Sequence, residues 1–149
     1  MKPYISSRII KAPLERVFDT ISDVHNYSAA VPSITKVEFL SAQHRGVGTR
    51  FRETRKMNGR EHSVELEVAE YVENARLRML SDAGGSTWDT LFSLSRVSGD
   101  VELRMQMDVR PHGILARIMN VLIRGMIAKG VDSDMDAVKA YCENANGQT

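Results

Sequence analysis

Residues 101–109 read VELRMQMDV, an unbroken alternation of apolar and polar positions. A period of two predicts a strand with one face on water and the other on an interior. The same alternation runs through 62–71, where Val64, Leu66 and Val68 share a face, and through 76–81, where Leu77 and Met79 do. In the strand between 76–81 and 101–109, Trp88, Thr90, Phe92 and Leu94 fall on one side. Residues 4–10, 36–40 and 49–56 bring the predicted strands to seven. Asn58-Gly59 is a strong hairpin signal, because both central residues of that turn need positive φ. Glu73-Asn74, the DAGGS stretch at 82–86 and Ser98-Gly99-Asp100 mark further turns. Connections this short predict that the last six strands form an antiparallel meander.

Two segments depart from that period. After 4–10, Ala12-Pro13 opens a short helix with Leu14, Val17, Phe18 and Ile21 at helical spacing. Asp23 is positioned to cap a second short helix over 24–30, ended by Pro32. From Leu115 onward the apolar residues fall at 115, 118, 119, 122, 123, 126 and 127, then at 131, 135, 138 and 142. This predicts one helix roughly 45 Å long. Gly125 and Gly130 inside it suggest a bend or the close approach of something bulky.

The expected fold is therefore α+β: a curved seven-stranded antiparallel sheet closed by a long C-terminal helix, with two short helices after the first strand. A straight helix touches a curled sheet along a line and leaves a hollow. Phe51, Leu66, Met79, Trp88, Thr90, Phe92, Leu103, Met105 and Met107 are expected to line it from the sheet. Leu115, Met119, Leu122 and Met126 are expected to line it from the helix. The methionines suit an adaptable ligand pocket and equally suit gap-filling in a core.

Composition narrows the function classes. With 149 residues, 42% hydrophobic and 26% charged, the chain reads as one domain over 1–149, frayed from about 146. A net charge of +1 and scattered basic residues argue against a nucleic-acid partner. Cys142 is the single cysteine, so no intrachain disulfide forms. No leader pattern opens the sequence, and Arg117, Arg124 and Lys129 interrupt its greasiest stretch, 113–130. A cytoplasmic protein without stable membrane insertion is expected. Arg117 and Arg124 would be solubilising charges or a transient contact with anionic membrane.

The order of elements resembles the helix-grip (Bet v 1-like) fold of the START-like superfamily, and within it the polyketide cyclase/dehydrase group. The resemblance rests on the strand running into IIKAPLERVFDTISDVHNYSAAVP, with Ala12-Pro13, Val17-Phe18 and Asp23 in sequence. GVGTRFRETRKMNGRE at 46–61 and the spaced Met135, Val138 and Lys139 of the closing helix add to it. The stretch DVHNYSAAVP is also similar to the coenzyme Q-binding branch, although Ala30, Val31 and Ser33 stand where that branch carries aromatics. The resemblance implies an internal apolar pocket.

Three polar residues are candidates for chemistry. Strand parity puts Glu53 on the inward face with Phe51 and Thr49, where a carboxylate must be paired or protonated. It could be a general base or a ligand anchor, or it could pair with an arginine at the rim. Arg8 faces in if Ile10 does, and an inward Arg8 near Glu53 would make an ion pair or an anion site. His62 sits beside a hairpin, at a pocket mouth or in solvent. Asp132, Asp134, Asp136 and Glu143 have the spacing of a calcium loop, but Ala137 stands where the sharp turn requires glycine. No metal or other cofactor is expected, and no phosphate loop, nucleophile elbow or zinc motif occurs. Three functions follow: binding or transfer of a small hydrophobic molecule, a polyketide cyclase/dehydratase-type reaction on one, or a groove that grips a partner protein.

Overall fold

The computed structural model describes residues 2–146, so part of the expected frayed tail, 147–149, lies outside the described residues. In chain order the elements are β1 (Tyr4–Ile10), α1 (Leu14–Ser22), α2 (Val24–Ala30), β2 (Ile34–Phe39), β3 (Arg50–Met57) and β4 (Arg60–Val72). They continue with β5 (Arg76–Ala83), β6 (Ser86–Val97), β7 (Asp100–Pro111) and α3 (Ile114–Asn146). The strands form one antiparallel sheet in the order β1-β7-β6-β5-β4-β3-β2. This is the helix-grip arrangement expected. The α1–α2 pair joins the two opposite edges of the sheet, while α3 packs chiefly along β1 and β7.

Local chemistry explains the boundaries. The Asp23 carboxylate accepts from the Asn26 backbone N–H at 3.0 Å, capping α2 directly after α1 ends. Asn58 and Gly59 both have positive φ, at 53° and 77°, as the predicted β3–β4 turn requires. Register carries the inward faces across the sheet, with Leu77 opposite Phe92, Phe92 opposite Met105 and Leu94 opposite Leu103. A bulge between Val68 and Glu70 breaks the alternation of β4. It lets Tyr71 turn inward and meet the edge of Phe18, with ring centroids 5.3 Å apart. In VELRMQMDV, Val101, Leu103, Met105 and Val109 are buried and Met107 is partly so. On the outer face Asp89 is gripped by Arg78 and Arg110, and the Arg78 hydrogen bond holds its carboxyl below the usual range.

The long helix departs from expectation. Over 33 residues its apolar positions fall into two stripes on different sides. Val131, Met135, Val138 and Cys142 are buried, and the Cys142 thiol, its pKa pushed up by burial, contacts Thr20 Oγ1 at 3.4 Å. Traced back in steps of three and four, that face runs through Ile127, Arg124, Asn120 and Ala116. Leu115, Met119, Leu122 and Met126 lie elsewhere and are 75%, 48%, 72% and 52% exposed. They stand outside the enclosed interior, contrary to the sequence expectation, because the packed face of this half is built on Asn120. The Asn120 amide donates to Ser86 Oγ at 2.9 Å and anchors the helix to the start of β6.

The two helix glycines do not meet a bulky neighbour, since a Cβ at Gly125 or Gly130 would find open space. The close approach is at Gly85, whose φ is +77° and whose added Cβ would lie 3.3 Å from Ala116 Cβ. Gly85→Ala is expected to destabilise the protein by about 1–2 kcal/mol. Gly125→Ala is expected to stabilise it by up to about 1 kcal/mol. Paired thermal melts check both signs, and a Gly125→Ala variant that melts lower would contradict the open helix face.

Candidate functional site

Glu53 and Arg55 are two residues apart on β3, so both project from the sheet's inner face. Arg55 Nε donates to Glu53 Oε1 at 2.6 Å. Its Nη1 reaches Asp134 Oδ2 at 2.9 Å and Oδ1 at 3.0 Å, joining β3 to α3. The same nitrogen reaches Ser33 Oγ at 3.4 Å. Tyr27 of α2 donates its hydroxyl to Asp134 Oδ2 at 3.5 Å. Four parts of the chain thus meet at one guanidinium.

The charge balance of the cluster explains its protonation. Burial pulls the Arg55 pKa down, but the Glu53 and Asp134 carboxylates outweigh it and hold the guanidinium firmly charged. Burial, then the Asp134 carboxylate, push the Tyr27 phenol well above its ordinary range, so it stays a neutral donor. One cation faces two carboxylates with little solvent, since the Arg55, Glu53 and Asp134 side chains are 23%, 9% and 13% exposed.

This cluster separates two spaces. Behind it lies a small void between α1–α2 and the sheet, with Phe51, Val68, Leu77 and Met79 in its wall. Its volume is about 10 Å³, room for roughly one water. The Ser22 hydroxyl at its wall has no protein partner. In front lies an open cleft of about 610 Å³ between the β3–β4 hairpin and α3. Arg55, Met57, Arg60 and His62 form one wall, and Met126, Gly130, Ser133 and Asp134 the other. Of these two spaces, the cleft is the one with the volume of a small-molecule ligand.

The predicted residues divide between these places. Phe51, Glu53 and Met79 border the small void, while His62 and Met126 border the cleft. Thr90, Phe92, Leu103 and Met105 are buried, and Phe92 meets the edge of Tyr27 at 6.2 Å between centroids. Leu66 and Met107 pack partly buried against the core. Trp88 is half-buried and donates its indole N–H to the Ala83 carbonyl at 3.0 Å. Arg8 does share the inner face of β1 with Tyr4, Ser6 and Ile10. It does not join Glu53, because β1 and β3 lie five strand spacings apart in the sheet order, about 24 Å along the sheet. Instead Arg8 Nε donates to Asp136 Oδ1 at 2.7 Å, and its Nη2 lies 3.6 Å from Asp132. The aspartates of the calcium-like spacing are thereby divided between Arg8 and Arg55. Among the described residues, no three His, Cys, Asp or Glu side chains converge as a metal site.

Sequence reasoning did not single out Arg55 or Asn120, read Asp134 only as part of a calcium-like spacing, and read Tyr27 as core or ligand shelf without joining it to Glu53. Arg55 carried one readable signal, its shared parity with Glu53. The other three depend on how α2 and α3 are laid on the sheet.

Comparison with known proteins agrees with this architecture. A protein from Thermus thermophilus superposes with a TM-score of 0.78 at 17% identity, covering 96% of this chain and 98% of that one. Ara h 8.0201 gives 0.75 at 11% identity over 94% and 96% of the two chains. The di-domain ARO/CYC BexL from the BE-7585A biosynthetic pathway gives 0.78 at 16% identity, over 95% of this chain and 46% of that one. At such identities the likeness is one of fold. No curated protein matches the sequence. Residues 5–143 match a family of the START-like superfamily over nearly the whole chain, and the chain belongs to that family, polyketide cyclase / dehydrase and lipid transport.

Proposed function

We propose that this protein binds or transfers a small hydrophobic molecule with a polar end, held in the cleft between the β3–β4 hairpin and α3. The observation that carries the reading is a cleft of about 610 Å³ with a buried charged cluster in its wall. Ligand sites of several hundred Å³ combine apolar walls with a few placed polar groups. Met57 and Met126 supply adaptable apolar surface here, and Arg55, Ser33 and Asp134 offer donors and acceptors. The apolar residues bordering the void, Phe51 and Met79, are the surfaces a longer ligand would reach if the void opened past Glu53. A cytoplasmic location fits a lone buried thiol.

A second reading is a cyclase or dehydratase acting in the same cleft. It is favoured by one feature: His62 and Asp134, an imidazole and a carboxylate, belong to opposite walls of one ligand-sized space. The likeness in fold to the di-domain ARO/CYC BexL is consistent with it.

The test is native mass spectrometry on freshly purified protein, paired with Gly130→Phe. Gly130 borders the cleft and its added Cβ meets nothing, so a phenyl group there fills the cleft without disturbing the helix. The expected result is a co-purifying small molecule on the wild type and at least a tenfold weaker signal on the variant, roughly the effect of losing one good apolar contact set. No adduct on the wild type, or one the filled cleft retains, would overturn the proposal.

A further inference from the structure

Apart from Met126, which borders the cleft, the exposed apolar residues of the first half of α3 take part in neither the cleft nor the core. Ile114, Ile118, Val121 and Leu122 are 79%, 51%, 63% and 72% exposed, and Leu115 is 75% exposed. Spacings of three and four put them on one broad face, turned away from Asn120 and Ile127. The same face becomes polar beyond Lys129, where Asp132, Ser133 and Asp136 follow. Greasy residues therefore occupy this face only over its first four turns, which ordinary solvation does not explain. Contiguous exposed apolar surface of this kind marks an interaction site.

Charge identifies the occupant. From 109 to 131 the chain has no acidic residue; of its four cations, Arg110 pairs with Asp89 and Arg124 turns to the Lys2 carbonyl and the Tyr4 ring, which leaves Arg117 and Lys129 for a partner. Arg117 and Lys129 are exposed. The next acids on this face, Asp132 and Asp136, share the single Arg8 cation. A second copy would offer no acidic residue from this same stretch to meet Arg117 and Lys129. An anionic bilayer offers the complement, with negative headgroups for the cations and acyl chains for the apolar face.

We infer that the first half of α3 is a docking face for anionic membrane, on which the helix lies in the plane of the interface. It does not span the bilayer: among the described residues no helix is long and apolar enough to cross a membrane. The inference stands on this surface alone and is independent of what the cleft binds.

Co-sedimentation with vesicles tests it, using phosphatidylcholine alone and phosphatidylcholine mixed with phosphatidylserine. The wild type is expected to bind the mixed vesicles, to release in high salt, and to bind neutral vesicles at least about tenfold more weakly. The double variant Ile118→Glu/Leu122→Glu is expected to lose binding by about tenfold or more with an unchanged melting temperature, because both positions are exposed. Arg117→Glu/Lys129→Glu retains the apolar face and is expected to lose the preference for anionic lipid. Failure to bind the mixed vesicles, or equal binding to neutral ones, would overturn the inference. So would a dimer in solution that the double variant disperses, since the face would then belong to a second copy.

Discussion

Arg55→Met is expected to cost about 3–5 kcal/mol of folding stability, the range for removing one partner of a buried ion pair. Methionine keeps an unbranched apolar stem in place of the arginine stem and lacks the guanidinium, so most of the effect is electrostatic. It leaves Glu53 and Asp134 facing each other in a site where neither exposes more than 13% of its side chain. It also removes the tie between β3 and α3, because Arg55 is the group that bridges Glu53 to Asp134. Urea denaturation reads the result as a lower midpoint at unchanged slope. The triple variant Arg55→Met/Glu53→Gln/Asp134→Asn should recover most of the loss, since no uncompensated charge remains. A single variant within about 1 kcal/mol of the wild type would mean that solvent screens the cluster, as at a surface pair.

Phe92→Ala is expected to cost a comparable 3–5 kcal/mol, roughly the cost of truncating a fully buried aromatic. Phe92 is 1% exposed, pairs across strands with Leu77 and Met105, and meets the Tyr27 ring edge-on. Its removal opens a cavity beside the Arg55 cluster, and the edge contact with Tyr27 is lost as well. Leu115→Ala is the matched comparison. Both residues were expected from the sequence to line the same hollow, yet Leu115 is 75% exposed and its truncation should stay within about 0.5 kcal/mol. Equal losses at the two positions would show that the first half of α3 packs on the sheet in solution.

That pair of residues marks how far periodicity reaches. Alternation identified the strands because a strand's period of two assigns each residue to one of only two faces. The turn residues set the connections, as at Asn58-Gly59, where positive φ is required at both positions. The β4 bulge was not legible, since it arises where Tyr71 and Val68 must both face inward. In α3 the apolar positions read as one continuous stripe, although the stripe changes sides near Ile127. A helix has no fixed pair of faces, so apolar spacing alone does not say which side the sheet will take.

The sequence by itself determined seven strands, two short helices and one long one in their order, the antiparallel meander, and the shared parity of Glu53 with Phe51, because these follow from local period and turn chemistry. The tertiary structure alone decided that Glu53 meets Arg55 rather than Arg8, that Asp134 closes the cluster from α3, and that an open cleft borders that cluster. Those outcomes depend on contacts between residues distant in the chain, whose geometry is set by sheet order and helix placement rather than by any neighbour in sequence.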